Sequence, residues 1–129
     1  MRYTECVQHI RRIAFLSLIA GFLTLGALAL RPVPIVVESE CKVVTGRITD
    51  VLKENENDVV FLLEDERRRF YINRGLEHGL QLESLRRDWI AEDVTIKYPR
   101  YWTPLDPTNS SRHVSKLEAG GIVLFDETR

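Results

Sequence analysis

The sequence predicts a small, mainly β domain with one short helix, preceded by a single N-terminal transmembrane helix. Three observations predict it. An uncharged apolar run covers Ile13–Leu30. Beyond residue 40 the chain breaks into short runs rich in β-branched and aromatic residues, separated by polar turns. Only one later stretch, Leu82 to Trp89, carries its apolar residues at helical spacing. A length of 129 residues allows one ordinary domain and an appendage.

The run IAFLSLIAGFLTLGALAL has only Ser17 and Thr24 as polar breaks. As a helix it would extend about 27 Å, enough for a hydrocarbon core. Gly21 and Gly26 do not oppose this, since glycine is commoner in membrane helices than in soluble ones. Arg11 and Arg12 precede the run, whereas Arg31 alone follows it, with Glu38 and Glu40 beyond. The positive-inside rule then makes residues 1–12 a short cytoplasmic segment, 13–30 a signal anchor, 31–40 a linker and 41–129 an extracytoplasmic domain. The competing reading is a signal peptide cleaved after Ala29, because Ala27-Leu28-Ala29 is an A-x-A site. Both readings send residues 31–129 to the same side.

Charge is distributed unevenly. Residues 1–30 carry a net +2 and the remainder a net −3. A mildly acidic domain lacks the basic footprint of non-specific nucleic-acid binding, so nucleic acid is not expected as a partner. Cys6 and Cys41 flank the apolar run, too far apart for a disulfide. Cys41 is then either a free thiol able to cross-link a partner or a small buried residue opening a strand.

Arg31-Pro32-Val33-Pro34 ends the helix, and Val33–Val37 is an approach segment or an edge strand. Cys41–Leu52 (CKVVTGRITDVL) is the first long strand, with Gly46 marking a bulge or bend where another backbone comes close. A polar turn at 54–58 leads to Val59–Leu63 (VVFLL), a strand buried on both faces. Glu64–Arg69 (EDERRR) connects it to Phe70–Asn73. Asn73-Arg74-Gly75 reads as a turn with Gly75 at positive φ, after which Leu76 and Leu80 pack inward while Glu77 and His78 face out. Leu82, Leu85 and Trp89 mark the helix. Val94–Tyr98 alternates as a half-buried strand, Arg100–Arg112 is a long loop, and His113–Leu117 and Ile122–Phe125 close the chain.

This order of strand, strand, strand, helix, strand, strand resembles the OB-fold over residues 41–126, and VTGRITDV (44–51) is similar to the bent first strand of OB domains. The resemblance implies an OB-like five-stranded β-barrel; an SH3-like barrel or another small α+β roll is the alternative. YINRGLE (71–77) together with TPLD (103–106) is similar to bacterial membrane-anchored domains with no assigned activity. That likeness implies a single-pass protein of the bacterial inner membrane.

Three groups of residues are candidates for binding. Arg67, Arg68 and Arg69 could clamp a phosphate or carboxylate, although Glu64, Asp65 and Glu66 neutralise them locally. The OB resemblance implies binding through the second and third strands, where Tyr71 is the aromatic left available, flanked at the rim by Asn73, Arg74 and His78. Arg100, Tyr101 and Trp102 offer rigid contact area in a proline-flanked loop, for a protein partner or for lipid headgroups, unless Trp102 plugs one end of the barrel instead. His78 and His113 lack metal-ligand spacing, and Ser110-Ser111-Arg112-His113 lacks a nucleophile elbow, so no metal, cofactor or catalytic group is expected. The expected role is therefore that of an accessory or assembly subunit of an envelope complex, membrane-bound through 13–30 and acting by contacts with a protein partner or with itself. The alternative is a periplasmic binding module for an anionic ligand, using Arg67–Arg69, Tyr71 and Arg74.

Overall fold

The structure is a computed structural model and describes residues 2–129; Met1, the first residue of the expected 1–12 segment, lies outside them. The described chain divides into two compact units, the first built on the N-terminal helix and the second holding all the strands. Helix α1 spans Arg2–Ala29. It is longer than the apolar run because residues 2–12 contain no glycine or proline to stop it, and Glu5 in the first turn complements the helix dipole. No part of its 18-residue apolar window is buried, and the helix is long and apolar enough to cross a membrane. Thr24 Oγ1 donates to the Ala20 carbonyl at 2.8 Å, satisfying the hydroxyl within the helix. Pro32, which has no N–H, ends the turn at Leu30 and Arg31.

The second unit contains β1 (Lys42–Glu54), β2 (Asp58–Leu63), β3 (Arg69–Ile72), α2 (Leu82–Trp89), β4 (Asp93–Tyr98), β5 (Ser111–His113), β6 (Lys116–Ala119) and β7 (Ile122–Asp126). The strands form one mixed sheet in the order β5-β3-β2-β1-β4-β6-β7. Every pairing is antiparallel except β3 with β5. Seven strands replace the expected five, and the sheet is not closed in this order, with β5 and β7 at its ends.

Strand β1 serves two partners. Lys42–Arg47 pairs with β4, Ile48–Glu54 pairs with β2, and the register shifts between Ile48 and Asp50. The expected irregularity is therefore present, two residues past Gly46. What comes close at Gly46 is a side chain and not a backbone: an added Cβ would lie 3.2 Å from Leu63 Cδ1. Val33–Val37 joins no ladder; Val37 is extended and leads through a 3₁₀ turn, Glu38–Glu40, into Cys41 and β1.

The stretch 111–119 differs most from expectation. Its first two residues, Ser111 and Arg112, lie in what reads as a loop, yet together with His113 they pair with β3. At Val114 and Ser115 the chain changes partner: Val114 N donates to Tyr71 O at 2.9 Å, and Ser115 N donates to Lys97 O at 2.8 Å.

The core follows the strand alternation. Val51, Val59, Phe61, Phe70, Ile72, Ile96, Val114 and Leu117 are fully buried. Val60 is buried on the other face of β2, as the continuous apolar run predicts. In α2, Leu85 is buried and Leu82 and Trp89 pack against the core. Leu76 and Leu80 also pack there, while Glu77 and His78 are exposed. The corner before α2 corrects one expectation. Positive φ falls on Arg74 (52°) and Gly79 (89°), not on Gly75. Gly75 is needed for closeness instead, since a Cβ there would meet Val59 Cγ2 at 2.9 Å.

The 3₁₀ turn is pinned to the sheet by charge. Both Glu38 carboxylate oxygens lie 3.1 Å from Lys116 Nζ, and Oε1 also accepts from Lys97. Glu118 and Asp126 complete the network, at 3.2 and 3.7 Å from Lys116. The bond from Lys97, then that from Lys116, holds the Glu38 carboxyl below its ordinary pKa, and both ammonium groups are raised. Arg129 N donates to Val36 O, adding a backbone bond to the same segment.

Candidate functional site

Alternation along β3 sends Phe70 and Ile72 into the core and Arg69 and Tyr71 to the opposite face. Register then sets their neighbours. Tyr71 stands opposite Val60 of β2 and beside His113 of β5, and Arg69 lies beside Ser111. The β1–β2 turn folds over this face. Asn55 adopts φ 48°, Asp58 Oδ2 accepts from Asn55 Nδ2 at 2.7 Å, and Asp58 Oδ1 accepts from the Arg74 amide at 2.8 Å. Arg69 forms an ion pair across the sheet with Glu54. Glu54, Asn55, Asp58, Val60, Arg69, Tyr71 and Ser111 thereby enclose a groove of about 210 Å³.

The ring of Tyr71 meets the His113 imidazole edge-on, with centroids 5.4 Å apart. His113 Nε2 is itself bonded to the Glu127 carboxylate. Burial first, then the charges of Tyr101, Asp58, Asp106 and Glu127, push the Tyr71 phenol above its ordinary pKa.

The three consecutive arginines do not converge. Arg67 is exposed. Arg68 forms a fork with Glu66, at 2.9 Å from Nε and 2.8 Å from Nη2, and its Nη1 donates to Tyr98 OH at 2.6 Å. Its guanidinium also lies 5.7 Å from the Phe70 ring centre and 5.5 Å from that of Tyr98, within cation–π range. The fork lowers the Glu66 carboxyl to a pKa of about 2. Arg68 is thus a structural brace, and Arg69 alone of the triplet reaches the groove.

The remaining candidates sit elsewhere. Asn73 and Arg74 line an adjoining surface depression with Glu56, Asn57 and Glu77, which shares Asn55 and Asp58 with the groove. His78 is exposed and rests edge-on against Phe125, centroids 5.6 Å apart. Arg100 is exposed, and the Tyr101 carbonyl accepts from Arg112 Nη1 at 2.6 Å. Trp102 is 44% exposed, with its indole N–H donating to Pro107 O at 3.3 Å. Asp106 orders the end of this loop, accepting from Ser110 N, Ser110 Oγ and Ser111 N at 2.7–2.9 Å. Burial would raise the Asp106 pKa, but these bonds outweigh it and hold the carboxyl below its usual range.

Glu54, Asp58, Val60 and Ser111 escape sequence reasoning. The signal that could have found the first three is hairpin register: a turn at 55–57 sets Glu54 opposite Asp58, and the next hairpin, between β2 and β3, sets Val60 opposite Tyr71. Ser111 has no such signal, because its parallel pairing with β3 bridges some forty residues. Among the described residues no group of three or more His, Cys, Asp or Glu side chains is placed to hold a metal ion. Cys41, half-buried just before β1, has its thiol pushed up in pKa by burial, against the effect of the neighbouring Ser115 hydroxyl. Comparison of the chain with protein-family models, with curated proteins and with solved structures finds no match.

Proposed function

We propose that this chain is a single-pass protein of a bacterial inner membrane. In this reading Arg11 and Arg12 keep the N-terminus in the cytoplasm, and the β domain stands outside as an accessory or assembly subunit working through protein contacts. One observation carries the choice of protein contact over small-anion binding. Arg68 and Arg69 are already held by Glu66 and Glu54, whereas large apolar side chains of the domain stay open to solvent. Trp102 is 44% exposed, and Val43, Ile122 and Val123 are each at least 50% exposed. Spent cations and exposed apolar area, Val43, Ile122 and Val123 above all, favour a macromolecular partner. The reading assigns the domain no catalysis and no cofactor.

We also infer that the domain is an OB-like barrel. The change of partner at Val114 and Ser115 supports this, because β5 and β6 can be taken as one bent strand joining β3 to β4. The ring then runs β1-β2-β3-β5/β6-β4 and returns to β1, with α2 between the third and fourth strands and β7 outside.

Site-specific photo-crosslinking tests the functional reading. A photoreactive residue at position 102 or 122, in cells, should give a discrete adduct with a larger protein that also co-purifies under mild detergent. A lone monomer without adducts at either position would overturn it. Intact mass of the membrane-extracted protein decides between an anchor and cleavage after Ala29.

A further inference from the structure

The groove shared by Arg69 and Tyr71 has a size and a charge that the arginine-rich sequence around it does not suggest. We propose that it receives a single lysine or arginine side chain from the partner protein. The proposal rests on the reading of the domain as a protein-contact module and specifies the chemistry of one contact.

Size comes first. At about 210 Å³ the groove is smaller than the roughly 300–1,000 Å³ typical of cofactor-sized and drug-sized ligands. It suits one long side chain, not a sugar chain. Charge decides which kind. The lining holds two carboxylates, Glu54 and Asp58, against the single guanidinium of Arg69, and that guanidinium is already engaged by Glu54. The donors to Asp58 are neutral, the Asn55 side-chain amide and the Arg74 backbone N–H, and among the described residues the carboxylate enters no ion pair, although the Arg74 side chain lines the adjoining depression with it. An incoming anion would therefore meet carboxylates with no free cation to hold it. An incoming cation finds the Asp58 carboxylate and the ring of Tyr71, reaches Glu54 in competition with Arg69, and meets in Val60 an apolar wall for its methylene stem. The raised pKa of the Tyr71 phenol agrees, since the carboxylates of Asp58, Asp106 and Glu127 all contribute to it after burial.

The test is an NMR titration of the full chain in detergent micelles, following the Tyr71 ring and the Ser111 amide. The probes are two capped tripeptides, Gly-Arg-Gly and Gly-Glu-Gly. The arginine peptide should shift both signals and the glutamate peptide neither. Arg69→Gln removes the internal competitor for Glu54 and should tighten the arginine peptide about three- to fivefold; Glu54→Gln should weaken it by a similar factor. Glu54→Gln keeps the side-chain shape, so it decides the question if Arg69→Gln does not fold. Binding of the glutamate peptide that is lost in Arg69→Gln would overturn the proposal. So would silence at both signals with either peptide. Failure here, with partner adducts at positions 102 and 122 intact, refutes the cation groove alone; absence of any partner refutes the parent reading whatever the titration gives.

Discussion

Replacing Glu66 by glutamine removes the carboxylate that grips Arg68 and leaves the shape of the side chain unchanged. The pairing lowers the Glu66 carboxyl from 4.5 to about 2, with the fork to Arg68 as the main cause. Such a shift corresponds to at most about 3.4 kcal/mol of stability. The Glu66 and Arg68 side chains are 21% and 34% exposed, so solvent screening reduces this to about 1.5 kcal/mol. The loss spreads further than the pair, because Arg68 also donates to Tyr98 and covers Phe70. For a domain of this size, Glu66→Gln should lower the melting temperature by about 6–12 °C, read from near-UV circular dichroism of the full chain in mild detergent. The pH dependence follows from the sign of the shift. A carboxyl depressed on folding contributes fully above its unfolded pKa, and that contribution is lost as pH falls toward the folded value. Wild-type stability should therefore drop between pH 4.5 and about 2, and the Glu66→Gln variant should lose less over the same interval. A variant melting within 2 °C of wild type, or an equal acid loss in both proteins, would refute the brace.

Gly75→Ala drives a Cβ to 2.9 Å from Val59 Cγ2 and should cost about 1–3 kcal/mol, visible as a lower denaturation midpoint. Phe61→Ala opens the fully buried centre of β2 and should cost about 3–5 kcal/mol in the same measurement. Glu38→Gln removes the carboxylate between Lys97 and Lys116, so amide exchange should rise at Arg129, whose N–H bonds to Val36. In wild type, protection of that amide relative to its intrinsic exchange rate should fall as pH drops through the depressed Glu38 pKa, and again in alkali as the raised lysines lose their protons. If Val114 and Ser115 join β3 to β4 in a barrel, their amides should be as protected from exchange as those of β2; fast exchange at both would leave the sheet open there.

Much of the architecture is legible in the sequence because it depends on local pattern. Eighteen uncharged residues make a membrane-length helix wherever they stand, VVFLL is buried on both faces, and Leu82, Leu85 and Trp89 find the core from their spacing alone. Register and long-range pairing are not local, and there the sequence falls short. Ser111 and Arg112 join His113 in a strand because β3 offers an edge, and Gly75 is needed for contact with Val59, sixteen residues earlier.

The candidate site divides in the same way. By itself the sequence determined that Tyr71 lies on the opposite face of its strand from Phe70 and Ile72, since side chains alternate along any β-strand; Arg69 joins that face because the strand begins one residue earlier than the pattern places it. Only the tertiary structure decided what that face meets. It turned Arg68 inward onto Tyr98, thirty residues away, and spent Arg69 on Glu54 across the sheet. It also brought Asp58 to the same groove, leaving an acidic, tyrosine-lined recess beside a run of three arginines. A run of charges states which groups are available; the pairing of strands states which remain uncompensated, because ion pairs form between neighbours in space and not in sequence.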